Sequence, residues 1–332
     1  GIWRMYELFK DRTTFNQPLN WETRSVTNFE RMFQGASSFN QNISMWLTSS
    51  AQNMSSMFEG ASAFASDIRT WIVPIGSDTT DMFKDATAFR ALFACPGDTN
   101  GPPSACLISP ARASALKHWV DFSTYATEDV DSISNFADKM ESATNQQVTG
   151  TVKFVSQVQN GLGAVYFHND ISSTEARGLR FETSQLGRNP EVFVVFRVLT
   201  YGASGVIIGD YDNGYGFGTY GAGDGHVTVP RTNGGILVST AINYSSWHVA
   251  DVYFGEDDGF LKVDNSDSGE FSISGMYTAS SHAKPEIGAY IRAWDHRVEH
   301  YVGEVLYFSR ELTADERAIV VDYVRNKWAL DF

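Results

Sequence analysis

Basic residues, cysteine and long apolar runs are all scarce in this chain of 332 residues. Lys and Arg number 25 against 39 Asp and Glu, so the formal net charge is −14. Such an acidic surface argues against nucleic acid and anionic membranes as partners. No segment approaches the roughly 18 apolar residues that a membrane-spanning helix needs. Since 42% of the residues are hydrophobic and only 19% are charged, the composition also excludes extensive disorder.

Cysteine is limited to Cys95 and Cys106, which are separated by ten residues. The spacing is not that of a Cys-x-x-Cys metal or redox pair, and the intervening segment is rich in Gly and Pro. We therefore predict a disulfide that closes a small loop in an oxidising compartment. In the loop-entropy model such a bond adds roughly 3 kcal/mol. The alternative is a pair of free thiols in a cytosolic protein.

The compartment is also indicated by short motifs. The chain begins with Gly1 and shows no signal peptide, so we expect a mature chain or a stretch of a longer one. Three Asn-x-Ser sequons occur, at Asn42, Asn53 and Asn243, and each is a possible glycosylation site. Together with the cysteine pair they favour a secreted glycoprotein, outside the cell or on its surface.

The first quarter of the chain repeats with a period of 24 or 25 residues. Near-copies of one segment that starts and ends with Phe begin at four positions: Phe9, Phe33, Phe58 and Phe83. A period in the twenties indicates a solenoid, in which each unit buries its apolar face only against its neighbours. Apolar residues spaced i, i+3 and i+4 over residues 28–33 and 53–58 predict a short amphipathic helix in each unit.

The aromatic residues of the repeats keep a fixed phase. Trp21, Trp46 and Trp71 recur every 25 residues. An exposed aromatic stripe of this kind could bind sugars, but a fixed position within every unit is typical of a repeat core. We therefore predict that these rings are buried.

Three stretches carry a family resemblance: Phe15-Asn16-Gln17-Pro18-Leu19, Phe39-Asn40-Gln41-Asn42-Ile43 and Val26-Thr27-Asn28. They resemble the BspA-like leucine-rich-repeat surface proteins over residues 1 to about 90. The resemblance implies a cell-surface or secreted protein with an adhesive or structural role. The fourth copy departs from the pattern at residues 76–83, and a degenerate last unit followed by a cysteine loop is expected to form a C-terminal cap.

The opposite end of the repeats has no such cap in the sequence. Residues 5–9 align with residues 54–58, so Gly1 falls late within a unit. We expect that further repeats precede Gly1 or that another subunit covers this end, because solenoids need polar caps. The alternative is a trimmed or disordered leader. A head-to-tail contact here would propagate as a filament, which makes copies of this chain or a related repeat protein the predicted partners.

The second part of the chain changes to a period of two. Alternating residues predict strands at five places: 191–198, 205–209, 247–254, 259–264 and 301–308. Many short strands with polar turns over about 200 residues indicate an antiparallel two-sheet sandwich. One helix follows, since Thr313 and Glu316 form a capping box before an apolar stripe.

The order of sequence landmarks resembles that of laminin-G-like or concanavalin-A-like jelly rolls. The landmarks lie at residues 118–121, 135–139, 178–181, 246–248, 260–264 and 303–312. The resemblance implies a binding or assembly module, often for glycans or proteins and sometimes dependent on calcium.

Two acidic turns are candidates for calcium. Asp210 and Asp212 lie in one, and Asp257 and Asp258 in the other. Carboxylate oxygens suit calcium, although acidic surface turns often bind nothing. Zinc is less favoured. Its candidate ligands are Asp295, His296, His300 and Glu304, and they lie in a segment whose sequence also suits a polar hairpin. No other cofactor is expected.

Catalysis is not predicted. Retaining glycosidases of this fold carry two catalytic carboxylates in a Glu-x-Asp-x-x-Glu string, which is absent from the sequence.

The predicted fold class is an α/β solenoid of short repeats of about 25 residues, followed by an all-β antiparallel jelly-roll sandwich with a short C-terminal helix. The predicted domains are the solenoid at 1–92, the disulfide loop and linker at 93–114, and the jelly roll at 115–332. The predicted function is that of an extracellular, non-enzymatic structural glycoprotein, a subunit of a surface coat, appendage or fibril. The alternative is an adhesin or lectin that binds glycans through the jelly roll.

Overall fold

The chain divides into two compact units, Gly1–Arg112 and Ala113–Phe332. The computed structural model describes residues 3–97, 99–113, 115–123, 125–126, 128–133, 136, 139, 146–149, 152–167, 178–181, 189–200, 205–210, 215–219, 226–230, 236–255, 257–264, 266–272, 286–288 and 298–332.

The sequence repeats of the first unit lie side by side, and we call residues 3–92 the repeat stack. Backbone N–H groups of one repeat donate to carbonyls of the next, as Phe33 N–H does to Met57 O at 2.9 Å. Parallel bridges join equivalent positions: Arg4 with Asn28, Asn28 with Asn53, and Asn53 with Asp78. Each repeat therefore pairs only with its sequence neighbours.

The short helices predicted at residues 28–33 and 53–58 are wrong. Both segments are turns in which one residue lies in the left-handed region, with φ of 54° at Arg31 and 53° at Ser56. A left-handed residue interrupts α-helical winding. The backbone N–H of Arg31 bonds to Ser55 O of the next repeat at 3.0 Å. The i, i+3, i+4 spacing arises because the turn, like a helix, directs those side chains to one side.

Columns of aromatic rings form the core of the repeat stack. The ring centroids of Phe33, Phe58 and Phe83 follow one another at 5.5 and 6.0 Å, with their planes within 5°. Trp46 and Trp71 form a second column at 6.2 Å. All five side chains are buried, which confirms the prediction for Trp46 and Trp71, whereas it is wrong for Trp21 of the first repeat, which is 39% exposed.

The segment after the fourth copy belongs to the same unit. Its elements are α1 (Thr87–Leu92), β1 (Phe93–Ala94), a 3-10 turn (Pro103–Ala105), β2 (Leu107–Ile108) and a second 3-10 turn (Pro110–Arg112). Strands β1 and β2 pair antiparallel. The predicted disulfide joins Cys95 to Cys106, and both cysteines pack into the repeat core.

The loop closed by this disulfide covers the last repeat. Phe83 N–H donates to Thr99 O at 2.7 Å, where earlier repeats use the carbonyl of a following repeat. Gly101 N–H donates to Thr79 O at 3.1 Å. A Cβ at Gly101 would lie 2.8 Å from the sulfur of Met82, so only glycine allows this close approach. The loop thus takes the place of a fifth repeat.

The second unit is built from strands and one helix. In chain order they are β3 (Leu116–Asp121), β4 (Gln146–Thr149), β5 (Lys153–Gln159), β6 (Leu162–Phe167), β7 (Gly178–Phe181), β8 (Glu191–Val198), β9 (Gly205–Asp210), β10 (Tyr215–Thr219), β11 (His226–Pro230), β12 (Ile236–Ala241), β13 (His248–Phe254), β14 (Asp258–Val263), β15 (Ser266–Ser272), β16 (Glu286–Gly288), β17 (His300–Phe308) and α2 (Ala314–Trp328).

These strands form a β-sandwich. Within the described ranges, one sheet has the order β12-β11-β10-β9-β16-β7-β4 and the other has the order β15-β14-β13-β8-β17-β6-β5, with β3 also paired to β17. All pairings are antiparallel. Both sheets contribute to one core, in which the rings of Phe196 and Phe217 meet edge to face at 5.4 Å. The five predicted strands correspond to β8, β9, β13, β14 and β17, which confirms the sandwich.

Helix α2 begins at the predicted capping box. The hydroxyl of Thr313 accepts from Glu316 N–H at 3.3 Å, and the Glu316 carboxylate accepts from Thr313 N–H at 3.0 Å. The Arg310 guanidinium and the Thr313 N–H lower the pKa of Glu316 to about 2. The helix buries one stripe, formed by Val320, Tyr323, Val324 and Trp328. No helix among the described residues is long and apolar enough to cross a membrane.

Candidate binding surfaces

The predicted calcium ligands are only partly described. Asp257 and Asp258 are exposed at the turn between β13 and β14. Asp210 ends β9, but its side chain and the whole of Asp212 lie outside the described residues. Among the residues that are described, no group of three or more His, Cys, Asp or Glu side chains could hold a metal ion. The calcium site stays a prediction.

The three sequons differ in how free their amides are. Asn42 and Asn243 are exposed. Asn53 is half-buried, its Nδ2 donates to Glu30 Oε2 at 3.2 Å, and its Oδ1 accepts from the Ser55 backbone at 2.9 Å. Since glycosylation uses the amide nitrogen, Asn42 and Asn243 are better placed than Asn53.

The zinc candidates that are described do not converge. His300 is buried with its ring stacked on Phe167 at 4.9 Å, and burial lowers its pKa to about 4. Phe167 belongs to the core between the sheets, whereas Glu304 contacts helix α2 on the opposite face of the sheet. Asp295 and His296 lie outside the described residues.

Glu304 is a fully buried carboxylate that accepts hydrogen bonds from four side chains. We call Glu304 and these four residues the Glu304 network. Its Oε1 accepts from Trp119 Nε1 at 2.6 Å and from the Tyr323 hydroxyl at 2.9 Å. Its Oε2 accepts from Trp328 Nε1 at 2.9 Å and from Lys327 Nζ at 3.0 Å. Three of these donors lie on helix α2, so the network fixes the helix to the outer face of the sheet.

Asp121 extends the same network. Its carboxylate lies 2.7 Å from Lys327 Nζ and 2.7 Å from Lys139 Nζ. Burial alone would raise the pKa of Asp121, but the two ammonium groups outweigh it and hold the pKa far below its usual value. Asp121 is therefore ionised in the folded protein at any ordinary pH.

A second buried acidic cluster lies under the start of helix α2. Arg317 Nε is 3.0 Å from Glu191 Oε1 and 3.1 Å from Asp251 Oδ2. Leu312 N–H donates to Glu191 Oε2 at 2.6 Å. Burial and the neighbouring Glu191 raise the pKa of Asp251 well above its usual value. One guanidinium thus faces two carboxyl groups, and burial raises the pKa of Glu191 as well.

Beyond the end of helix α2, the outer face of the same sheet carries a cross-strand row of large polar and aromatic side chains. Lys153 lies opposite Tyr166, Tyr166 opposite Tyr301, and Tyr301 opposite Arg197. The Tyr166 and Tyr301 rings are 5.0 Å apart, and the Trp247 ring is 6.0 Å from Tyr301. We call these five residues the tyrosine row.

Four members of the tyrosine row are half-exposed, Trp247 is buried against Trp328, and the row contains unused donors. Burial and the negative charge of Glu299 raise the pKa of Tyr166 to about 12, and burial raises that of Tyr301. Both phenols are therefore neutral at pH 7. Trp247 Nε1 and Arg197 Nε are buried without a hydrogen-bond partner in the structure. Such atoms are uncommon in native proteins.

The tyrosine row could not be located from the sequence. Its members come from four strands and from the residue before a fifth, and they meet only through the strand register. Each lies at an outward position of an alternating segment, next to a buried residue such as Val165 or Phe196. Outward aromatic residues within predicted strands were the available signal, but their neighbours across the sheet were unknown.

The first repeat presents a different surface. Trp21 is 39% exposed, whereas its equivalent Trp46 is 5% exposed. The carbonyls of Tyr6, Leu8 and Lys10 receive no backbone hydrogen bond from the described residues, although their equivalents in the second repeat do.

The large exposed hydrophobic residues found among the described residues are all in the first unit: Trp3, Tyr6, Leu8, Trp21, Met45, Leu47, Ile72 and Ile75.

Comparison with known proteins finds a family match for the first unit. A family described as Mycoplasma protein of unknown function, DUF285, matches residues 1–94. No curated protein matches the chain.

Solved structures resemble the chain weakly. The binding domain of Paraclostridial Mosquitocidal Protein 1 is 11% identical with a TM-score of 0.48, and the match covers 64% of this chain and 53% of that one. The receptor-binding domain of botulinum neurotoxin type G is 13% identical with a TM-score of 0.44, covering 63% of this chain and 51% of that one. The chain thus spans about half the length of these proteins. Similarity at this level carries no argument about ligand or partner.

Proposed function

We propose that the chain is a non-enzymatic, extracellular adhesin that binds glycans through its β-sandwich. The tyrosine row is the observation that supports this most strongly. The buried acids under helix α2 are taken up in fixing the helix, whereas the tyrosine row offers half-exposed rings and unpaired donors. The tyrosine row therefore has side-chain donors that no described residue uses and that could bind a ligand.

The chemistry of the tyrosine row suits a sugar. A sugar ring has an apolar C–H face and a rim of hydroxyls, and tyrosine combines an apolar ring with a polar tip. Binding sites of this kind join apolar and aromatic contact area with a few oriented polar groups. Tyr166 and Tyr301 supply both, since their neutral phenols can donate and accept.

The non-enzymatic part of the proposal rests on the state of the described buried acids. A retaining glycosidase needs two carboxyl groups about 5–5.5 Å apart across an open cleft. Glu191 and Asp251 are neighbours, but both contact Arg317 beneath helix α2. Glu304 has four donors on its two oxygens. These carboxyl groups are buried and bonded to residues of helix α2.

The extracellular setting is supported by the disulfide. A bond between Cys95 and Cys106 persists in an oxidising compartment. The exposed sequons at Asn42 and Asn243 agree with it. The repeat stack supports a solenoid of the BspA-like kind, in which each turn contacts only the turns before and after it.

The test is binding of the full chain to a broad glycan array. We expect binding that falls by a factor of about 30 in a Tyr166→Ala, Tyr301→Ala double variant, since central aromatic contacts contribute about 2 kcal/mol. Tyr6→Ala is the matched control, because it removes an exposed tyrosine from the first unit. Repeating the array with a chelator tests the predicted calcium. A folded wild-type chain that binds no glycan would disprove the proposal.

A second candidate function is assembly through the first repeat. The open carbonyls of Tyr6, Leu8 and Lys10 and the half-covered aromatic rings match the surface that every later repeat uses to hold its neighbour. A repeat from a second molecule fits there by the same bonds, and a head-to-tail contact of this kind extends into a filament. This is the structural-subunit function that the sequence favours.

Assembly is tested by sedimentation and electron microscopy of the full chain over a wide concentration range. We expect concentration-dependent oligomers that are lost in Leu8→Lys, whereas Ile75→Lys, at an exposed residue outside that surface, leaves them intact. A wild-type chain that stays monomeric at high concentration with a folded first repeat would exclude this function.

A further inference from the structure

Arg197 differs from three other buried or half-buried cations of the sandwich. Lys139 and Lys327 pair with Asp121, and Arg317 pairs with Glu191. In the described part of the chain, no carboxylate forms an ion pair with Arg197, which is half-buried and whose Nε is fully covered without a partner. An uncompensated guanidinium in a partly desolvated position favours an anion beside it.

The position of Arg197 within the tyrosine row sets what else that anion can touch. Arg197 lies directly opposite Tyr301 on the neighbouring strand. Trp247, whose Nε1 is the other buried unpaired donor, has its ring 6.0 Å from Tyr301. Both unused donors therefore lie on the same side of Tyr301, at one end of the row.

Two carboxylates also lie near the row. Besides burial, Glu299 raises the pKa of Tyr166, and Asp129 and Glu299 raise that of Tyr301, which Arg197 lowers. Lys153 is paired with Asp131 at 3.3 Å. Arg197 therefore contributes a positive charge beside Tyr301 without forming an ion pair in the described part of the chain.

From this geometry we propose that the tyrosine row binds a sugar that carries a carboxylate, and that Arg197 binds the carboxylate. The proposal rests on the proposed glycan-binding function and names its ligand class. A guanidinium binds a carboxylate through two parallel hydrogen bonds, a geometry that lysine cannot reproduce. The apolar face of the same sugar, or of the next one, packs on the rings of Tyr301 and Tyr166.

The test uses two matched ligand pairs with the full chain in titration calorimetry. Sialyllactose is compared with its methyl ester, and digalacturonate with its methyl ester, so that each pair differs by the carboxylate charge and the two arms separate sialic from uronic acids. We expect one acidic ligand to bind at least about 10-fold more tightly than its neutral partner. Arg197→Gln removes this difference, and Arg197→Lys, which keeps the charge, loses most of it.

Arg24→Gln is the control, because it removes an exposed arginine from the first unit and leaves the row intact. If Arg197→Gln does not fold, the inference is tested by the ratio of the affinities for acidic and neutral ligands in Arg197→Lys and Tyr301→Phe. Equal binding of acidic and neutral ligands, or unchanged selectivity in Arg197→Lys and Arg197→Gln, overturns the inference. In that case glycan binding that is lost in the Tyr166, Tyr301 double variant keeps the proposed function, whereas no binding to any sugar ends both.

Discussion

Each of the two units of this chain is stabilised internally in a different way. In the repeat stack, the bonds between layers join residues 23 to 28 apart, as Met5 and Asn28 or Trp71 and Ile43 show. In the sandwich, the Glu304 network joins Trp119 to Glu304 across 185 residues, and Lys327 reaches Asp121 across 206. The first unit uses neutral backbone groups and stacked rings, and the second uses buried charges.

This difference predicts how each unit responds to damage. A stack of repeats has a stability close to the sum of its layers and of the contacts between neighbours. A sandwich whose helix is fixed by a few buried ionic groups depends on each of them, because an unpaired buried charge is costly. Loss of one contact should therefore be local in the stack and global in the sandwich.

The largest effect is expected from Glu304→Ala. It leaves two indole N–H groups, a phenol and the Lys327 ammonium without their shared acceptor. Removing one partner from a buried ionic network costs about 3–5 kcal/mol. In scanning calorimetry of the full chain, we expect the sandwich transition to shift far down or vanish while that of the repeat stack stays in place. A shift in both transitions would contradict the proposed independence.

The next effect compares two phenylalanines of one column. Phe58→Ala removes a fully buried ring between two others and should cost about 3–5 kcal/mol. Phe9→Ala removes the equivalent ring from the first repeat, where it is only half-buried, and should cost clearly less. Denaturant unfolding followed by near-ultraviolet circular dichroism measures both. Equal losses would mean that the stack unfolds as one body and has no weaker end.

Opening the disulfide tests the cap. A Cys95→Ala, Cys106→Ala variant should lose roughly 3 kcal/mol, and the loss should be concentrated in the last repeat, because the loop between the cysteines supplies Thr99 O to Phe83. Hydrogen exchange resolves this by position. Uniform loss of protection across all repeats would show that the loop contributes to the whole stack and does more than close its end.

The smallest effect concerns a histidine in the sandwich. His248 Nδ1 lies 2.5 Å from Asp264 Oδ2, and Nε2 lies 2.9 Å from Asn243 O. Both ring nitrogens face acceptors, an arrangement that favours the doubly protonated ring. Burial opposes the charge, but Asp264 and the Asn243 carbonyl outweigh it and raise the pKa of His248.

A raised folded-state pKa gives a stability contribution that is complete below the unfolded pKa of about 6.5 and is lost as pH rises through the folded value. We expect the unfolding free energy of the sandwich to fall over that window. His248→Asn should flatten the dependence, and thermal melts between pH 6 and 9 measure it. A slope of the opposite sign would show that Asp264 does not hold the charged ring.

Much of the fold could be predicted because it depends on local patterns. The strands at Glu191–Val198 and His248–Phe254 follow from alternation, and the start of α2 follows from Thr313 and Glu316. The repeat period followed from spacing alone. The repeat turns could not be predicted, because their N–H groups bond to the next layer and the apolar spacing fits a helix equally well.

The candidate site, in contrast, could not be predicted from local sequence patterns. Lys153, Tyr166, Arg197, Trp247 and Tyr301 are spread over about 150 residues of sequence. They become neighbours only through the pairing of β5, β6, β17, β8 and β13, which no local pattern contains. The resemblance implied a binding or assembly module and glycan binding was the alternative prediction, but the sequence could not locate the surface on which binding is now proposed.

The backbone bonds of the repeat stack also have a mechanical consequence. They run from one layer to the next, so a pull on the first repeat along the stacking direction loads one layer of bonds at a time. The chain should then yield in steps, each releasing one repeat of 24 or 25 residues, or about 80 Å of extended chain. At the other end, the bond between Cys95 and Cys106 stops ten residues from lengthening. Such a unit would absorb the work of pulling in several small steps.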